Sequence, residues 1–210
     1  MRWWFLILVP ALVIPPLGRA RADAPGLFGT SEKESSNMSL FTNWNQAVAR
    51  AVEEKSKLAG TCDDKKMNAC HYKVLLDFTE KIRDKDDLFK IKNVNDFMNR
   101  AKYVTDQINY NAPDYWASPG QFIEKQGDCE DYAIAKYIAL KLAGFPADKM
   151  RVVAVQDLNL KVGHAVLAVY VDGKALILDN QIKQVVDASS VKHYQPVFSI
   201  NEKAWWRHTK

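Results

Sequence analysis

His164-Ala-Val-Leu-Ala-Val-Tyr-Val-Asp-Gly-Lys-Ala-Leu-Ile-Leu178 reads as two strands folded back on one another. Asp172-Gly173 supplies the two-residue turn, because a type I′ hairpin needs positive φ at both central positions. That turn puts Val171 opposite Lys174, which sets Val166 opposite Asp179 and His164 opposite Gln181. Asp179 is then the diagonal neighbour of His164 on one face of the ribbon, about 7 Å away between backbones and within side-chain reach. A slip of one residue would send the two to opposite faces.

Upstream, Asp128 to Ala143 has the pattern of a largely apolar helix, with Ala133, Ile134, Tyr137, Ile138, Leu140 and Leu142; Gly144 and Pro146 end it. A helix so apolar belongs at the centre of a core. Val152 to Val155 reads as a strand, and Tyr194, Pro196, Phe198, Trp205 and Trp206 suggest a final strand and a packed cap. In the first half, apolar residues recur at helical spacing in three stretches. They are Phe41, Trp44, Val48, Ala51 and Val52; Val74, Leu75, Phe78 and Ile82; and Phe97, Ala101, Val104 and Ile108. Between Asn111 and Gly120, two prolines and a glycine interrupt the helical pattern. Helices, then a central helix, then an antiparallel sheet make an α+β domain.

Gly127-Asp-Cys-Glu-Asp-Tyr132 carries the chemistry. Cys129 sits in the first turn of the central helix, where unpaired N–H groups and a partial positive charge favour a thiolate. A buried cysteine is more often inert, and a lone strand histidine or strand-end aspartate is more often structural. Together with the derived hairpin geometry, the three residues read as a Cys129–His164–Asp179 triad. In it His164 takes the thiol proton and Asp179 fixes the imidazole tautomer. Asp128, Glu130 and Asp131 oppose this, since nearby negative charge suppresses a thiolate. Either they are ordinary first-turn helix caps that point away, or a cation neutralises them; three carboxylates so close supply much of a Ca²⁺ ligand set. The backbone N–H of Cys129 is one oxyanion donor, and Gln121, Gln126, Tyr115 and Trp116 are candidates for the second. His71, His193 and His208 lack metal-ligand spacing and read as surface or locally bonded residues.

The chain has 210 residues, 48% hydrophobic and 26% charged, an ordinary globular composition with a net charge of +4. Residues 1–22 have the form of a secretory signal peptide: Arg2, an apolar run from Trp3 to Leu17, and Ala20-Arg21-Ala22 as the cleavage site. Removing them leaves 26 basic and 25 acidic residues, which excludes nucleic-acid binding driven by bulk charge. The expectation is a periplasmic protein with a mobile arm over 23–39 and one domain over 40–210. Cys62 and Cys70 could close a small loop in an oxidising compartment or remain free.

From Trp44 to Trp206 the chain resembles the bacterial transglutaminase-like cysteine proteinases. The likeness is most specific in Gly127-Asp-Cys-Glu-Asp-Tyr-Ala133, Gly163-His-Ala-Val-Leu167, Leu178-Asp-Asn180 and Tyr194-Gln-Pro196. The resemblance implies a papain/transglutaminase-like fold, with Cys129 as nucleophile, His164 as base and Asp179 as orienting acid. It also implies a calcium requirement, with Asp128 and Glu130 as leading ligands and Asp131 next. Its further implications are cleavage of the N-terminal region of a large surface adhesin at an Ala-Ala site, biofilm release, and sequestration by the periplasmic domain of an inner-membrane cyclic di-GMP receptor. Acyl transfer to an amine, as in a transglutaminase or amidase, uses the same triad. A non-catalytic periplasmic binding module is the alternative from another class.

Overall fold

The computed structural model describes residues 26–56 and 69–210, without the side chains of 69 and 70. The leader and the Cys62–Cys70 pairing therefore lie outside the described residues. In chain order the elements are β1 (Ser31–Ser35), α1 (Thr42–Ser56), α2 (Ala69–Ile82), α3 (Asp87–Met98), α4 (Asp106–Tyr110), α5 (Pro119–Lys125) and α6 (Cys129–Leu142). There follow β2 (Met150–Asp157), β3 (Val162–Val171), β4 (Lys174–Leu178), β5 (Val186–Asp187), β6 (Tyr194–Ile200) and β7 (Trp205–Thr209). All strands belong to one antiparallel sheet in the order β1-β7-β6-β2-β3-β4-β5.

The hairpin has the register its turn dictates. Asp172 and Gly173 take φ of 50° and 73°, and Val171 pairs with Lys174 and Leu167 with Leu178. Side chains then alternate between two cores. Val152, Leu167, Val169 and Leu178 face the helices, while Val153, Val166, Ala168 and Ile177 face the other side, where Leu27, Ala188 and Val191 cover them. Burial on both faces is why β2 and β3 read as near-continuous apolar runs.

α6 lies between the sheet and the other helices, and every residue from Asp131 to Leu140 is buried. Trp44 of α1 packs edge-on against its Tyr137, with ring centroids 5.3 Å apart. Gly144, at φ 83°, ends it; the Gly144 N–H donates to Lys141 and that of Phe145 to Leu140, satisfying carbonyls the helix would otherwise leave bare.

Four expectations are corrected. The described part of the arm expected over 23–39, from residue 26 onward, is no mobile arm: β1 pairs with β7, and Leu27 is fully buried. What secures them is chemistry that a polar composition hides. Glu32 accepts from Arg151 Nη1 at 2.5 Å and from the Leu27 N–H at 3.0 Å, and Thr30 hydrogen-bonds to His208. The helical spacing of Phe97, Ala101, Val104 and Ile108 does not form one helix. α3 stops at Met98, the Val104 N–H donates to the Gly127 carbonyl, and Ile108 is exposed. The buried face of α1 is Trp44, Ala47 and Ala51, leaving Val52 exposed. The tail forms two strands rather than a strand and a cap. Its Trp206 ring lies under the Arg151 guanidinium at 3.6 Å, and buried His208 bonds to Ser199.

Glu32→Ala strands the Arg151 guanidinium in a buried site. It should cost about 3 kcal/mol of stability in urea unfolding, whereas an unattached arm would give no change.

Candidate active site

Asp179 follows β4 and His164 is the third residue of β3, so the hairpin alone brings them together. Both side chains are essentially without exposure, and His164 Nε2 lies 2.9 Å from Asp179 Oδ1. A carboxylate only accepts, so Nε2 carries the hydrogen and Nδ1 is left as the basic nitrogen, facing the Gln181 amide at 3.3 Å. The Gln181 N–H also donates to Asp179 Oδ1 at 2.9 Å, and the Tyr194 hydroxyl to Oδ2 at 2.6 Å. Asn99 Nδ2 donates to the Asp179 carbonyl at 2.7 Å. Burial pushes the Asp179 carboxyl up, but the hydrogen bonds and charge of His164 and the bonds from Tyr194 and Gln181 outweigh it. The group is held below the usual carboxylate range.

Cys129 opens α6 and is half-buried. The Ala165 N–H donates to its sulfur, which sets the thiol beside the residue that follows His164. The thiol itself donates to Glu130 Oε2 at 3.1 Å. Burial, then the charge and hydrogen bond of Glu130, then the charge of Asp128 push the thiol far up, against the weaker effect of the Ala165 N–H. The opposition foreseen from the sequence is therefore present for Glu130 and Asp128, while Asp131 turns back to cap the helix.

Asp131 is fully buried, accepting from the Ala117 N–H at 2.6 Å and the Asp128 N–H at 3.3 Å. Gly127 is required here, because a Cβ would run into the Asp131 carboxylate. Asp106, at the start of α4, accepts from the Tyr115 N–H at 2.5 Å, and its own N–H reaches Asp128 at 3.4 Å. Asp106, Asp128 and Asp131 each offer an oxygen within 4.8 Å of the others, and Asp106, Asp114 and Glu130 do the same. That span is the diameter of an oxygen shell of roughly 2.4 Å radius around a hard cation. Asp106 Oδ1 and Asp128 Oδ1 are buried without a hydrogen-bond partner. Two buried, unpaired carboxylate oxygens in groups this close fit a divalent ion. Burial and mutual repulsion push Asp106 up to about 6, Glu130 to about 8 and Asp131 to about 9.

Sequence reasoning placed Asp128, Glu130 and Asp131 in this cluster but missed Asp106 and Asp114. Two aspartates 23 and 15 residues before Cys129 carry no local spacing signal; the Tyr103–Gly127 bridge and the Val104 N–H bond to the Gly127 carbonyl fold that loop onto the head of α6 and bring them in. Two of the side chains considered as second oxyanion donors are engaged elsewhere: the Gln121 amide donates to the Tyr115 hydroxyl at 2.8 Å, and Trp116 Nε1 donates to Asp114 at 3.0 Å.

Residues 50–208 match the family described as bacterial transglutaminase-like cysteine proteinase. The structure is similar to Legionella pneumophila LapG, with 30% identity and TM-score 0.63 over 75% of this chain and 87% of that one. The same figures hold for calcium-bound LapG from that organism. For the EGTA-treated form they are 29% and 0.64 over 76% and 86%. No curated protein matches the chain.

The raised carboxylates set a pH dependence for chelator-treated protein. Folded, the cluster holds protons that the unfolded chain releases above pH ~4. Stability is therefore full at acid pH and is lost as pH rises through the folded values of Asp106, Glu130 and Asp131. Thermal melts in EGTA should show Tm falling from pH 5 to pH 9, and a Tm that rises over this range would contradict the cluster's electrostatics.

Proposed function

The chain belongs to the bacterial transglutaminase-like cysteine proteinases, and from that membership we propose a calcium-dependent cysteine endopeptidase with Cys129, His164 and Asp179 as its triad. The observation that carries the proposal is the buried His164–Asp179 pair, whose Nδ1, met by the Gln181 amide, lies on β3 one residue before Ala165, whose N–H favours the Cys129 thiolate.

His164 Nδ1 takes the thiol proton, and Asp179, bound to Nε2–H, stabilises the imidazolium and fixes the ring. The Cys129 sulfur attacks the scissile carbonyl. The backbone N–H of Cys129, at the positive end of α6, receives the developing oxyanion. His164 then returns the proton to the leaving amine, and water resolves the thioester. Asp106, Asp114, Asp128, Glu130 and Asp131 would hold the calcium ion. Its positive charge, when bound, offsets the carboxylates around Cys129 and engages the Glu130 oxygen that otherwise accepts from the thiol. The printed states of the LapG relatives, calcium-bound and EGTA-treated, support this choice of ion.

The substrate we propose is the N-terminal region of a large surface adhesin, cut at an Ala-Ala site, so that cleavage promotes biofilm release. Its regulator on this reading is the periplasmic domain of an inner-membrane cyclic di-GMP receptor, which places the mature protein in the periplasm. Family resemblance supports both. Among the described residues no helix is long and apolar enough to cross a membrane.

An adhesin N-terminal fragment bearing Ala-Ala should be cut in Ca²⁺, spared in EGTA and cut again in excess Ca²⁺. Cys129→Ala should abolish cutting, and cleavage by that variant would remove the nucleophile. Asp106→Asn should raise the Ca²⁺ needed for half-maximal rate by roughly tenfold or more; an unchanged requirement would take Asp106 out of the site. Incorporation of a labelled amine in place of hydrolysis would favour acyl transfer instead.

A further inference from the structure

The donors to the Asp179 carboxylate divide between its two oxygens. Oδ1 takes the His164 Nε2–H at 2.9 Å and the Gln181 N–H at 2.9 Å, while Oδ2 takes the Tyr194 hydroxyl at 2.6 Å. Among the described residues no other donor reaches Oδ2. Tyr194 opens β6, and β2 and β3 lie between that strand and β4 in the sheet. This donor therefore comes from outside the hairpin that carries His164 and Asp179. Its ring is packed on three sides. The His164 ring lies 5.6 Å away between centroids, Phe28 meets it edge-on at 6.1 Å, and His193 lies at 4.4 Å. Tyr194 is buried, and the Asp179 side chain has no exposure at all. A phenylalanine would make the same ring contacts, so packing does not account for the hydroxyl. A buried phenol is favourable only where its O–H finds a partner, and here the partner is Oδ2.

We propose that Tyr194 is a positioning residue: its hydroxyl fixes Asp179 Oδ2, so that Oδ1 stays aimed at the His164 Nε2–H and the imidazole keeps Nδ1 as its basic nitrogen. The inference rests on the triad reading above. The torsion that turns a carboxylate about its Cβ–Cγ bond is soft, and donors on both oxygens remove that freedom. Without the phenol, Oδ2 is a buried charged acceptor with no donor, an unfavourable state. The carboxyl relieves it by turning or by taking up a proton. Either change loosens Nε2, and the imidazole then samples the tautomer with its hydrogen on Nδ1, which cannot receive the thiol proton. A neutral donor suits this place. An ammonium or guanidinium on Oδ2 would compete with the His164 imidazolium for the same charge, whereas a phenol holds the oxygen and leaves the charge to His164.

The test uses full-length, calcium-loaded protein labelled with 15N-histidine. The chain has four histidines, and His164→Gln assigns the signal. Spectra are taken at pH 8.5, above the ordinary imidazole range, in a Cys129→Ala parent so that no thiolate holds the ring charged. The parent should show the Nε2–H tautomer of His164, and Tyr194→Phe a mixture of both tautomers. With Cys129 intact, Tyr194→Phe should lower kcat on the Ala-Ala adhesin fragment about tenfold and leave KM unchanged. Phe28→Leu keeps the hydroxyl and gives up a ring contact; it should lower Tm and leave the tautomer as in the parent. An unchanged tautomer or kcat in Tyr194→Phe, a mixture in Phe28→Leu, or an Nδ1–H parent overturns the proposal. If Tyr194→Phe does not fold, Tyr194→Met takes its place. Cutting by His164→Gln at the native rate would sink the triad reading itself. Failure of the native protein to cut the fragment would sink the substrate reading and leave the spectra to judge Tyr194.

Discussion

The head of α6 is held by one buried carboxylate. Asp131 has no exposure, and its oxygens are committed to the main-chain N–H groups of Ala117 and Asp128. The first bond ties the segment before α5 to α6, and the second closes the first turn of α6 on itself. Gly127 must be a glycine because that carboxylate occupies the space of its Cβ. The position of Cys129 follows, since it has Asp128 before it and Asp131 two residues after. A carboxylate placed there to fix the nucleophile also contributes a negative field, and much of the remaining site answers that conflict.

An α-helix N-terminus offers roughly half a positive charge, which is too little to balance Asp128, Glu130 and Asp131 together. The consequence is visible in the hydrogen bonding. The thiol donates to Glu130, and Glu130 and Asp128 push it away from ionisation. On the proposed reading the site is inactive by default, because the groups that would bind calcium are the same groups that suppress the thiolate. Few arrangements couple metal occupancy to nucleophile strength so directly. Neither a distant allosteric site nor a moving lid is needed.

The sheet half of the site was legible in the sequence, because it is governed by local rules. Asp172-Gly173 selects a turn, the turn fixes a register, and the register puts His164 beside Asp179. The boundaries of α6 were legible for the same reason, with a capping residue at one end and Gly144 at the other. What escaped depended on contacts far apart in sequence. Asp106 and Asp114 reach the cluster through contacts such as the pairing of Tyr103 with Gly127. The segment around β1 looked like solvent-exposed chain, because its anchor is a single Glu32 bonded to an arginine 119 residues away. Polar residues that are buried in pairs resemble polar residues in water until the partner is known. Ala47 hid the true face of α1, since a small residue weighs little in any apolar pattern.

The site is divided between the two halves of the domain in a way that bears on control. Asp106 and Asp114 come from the helical half and His164 and Asp179 from the sheet, with α6 between them. Any ion held by Asp106, Asp128 and Asp131 therefore pins the segment around Tyr103 to the head of α6. The same ion alters the charge felt by a thiol that leans on the sheet through the Ala165 N–H.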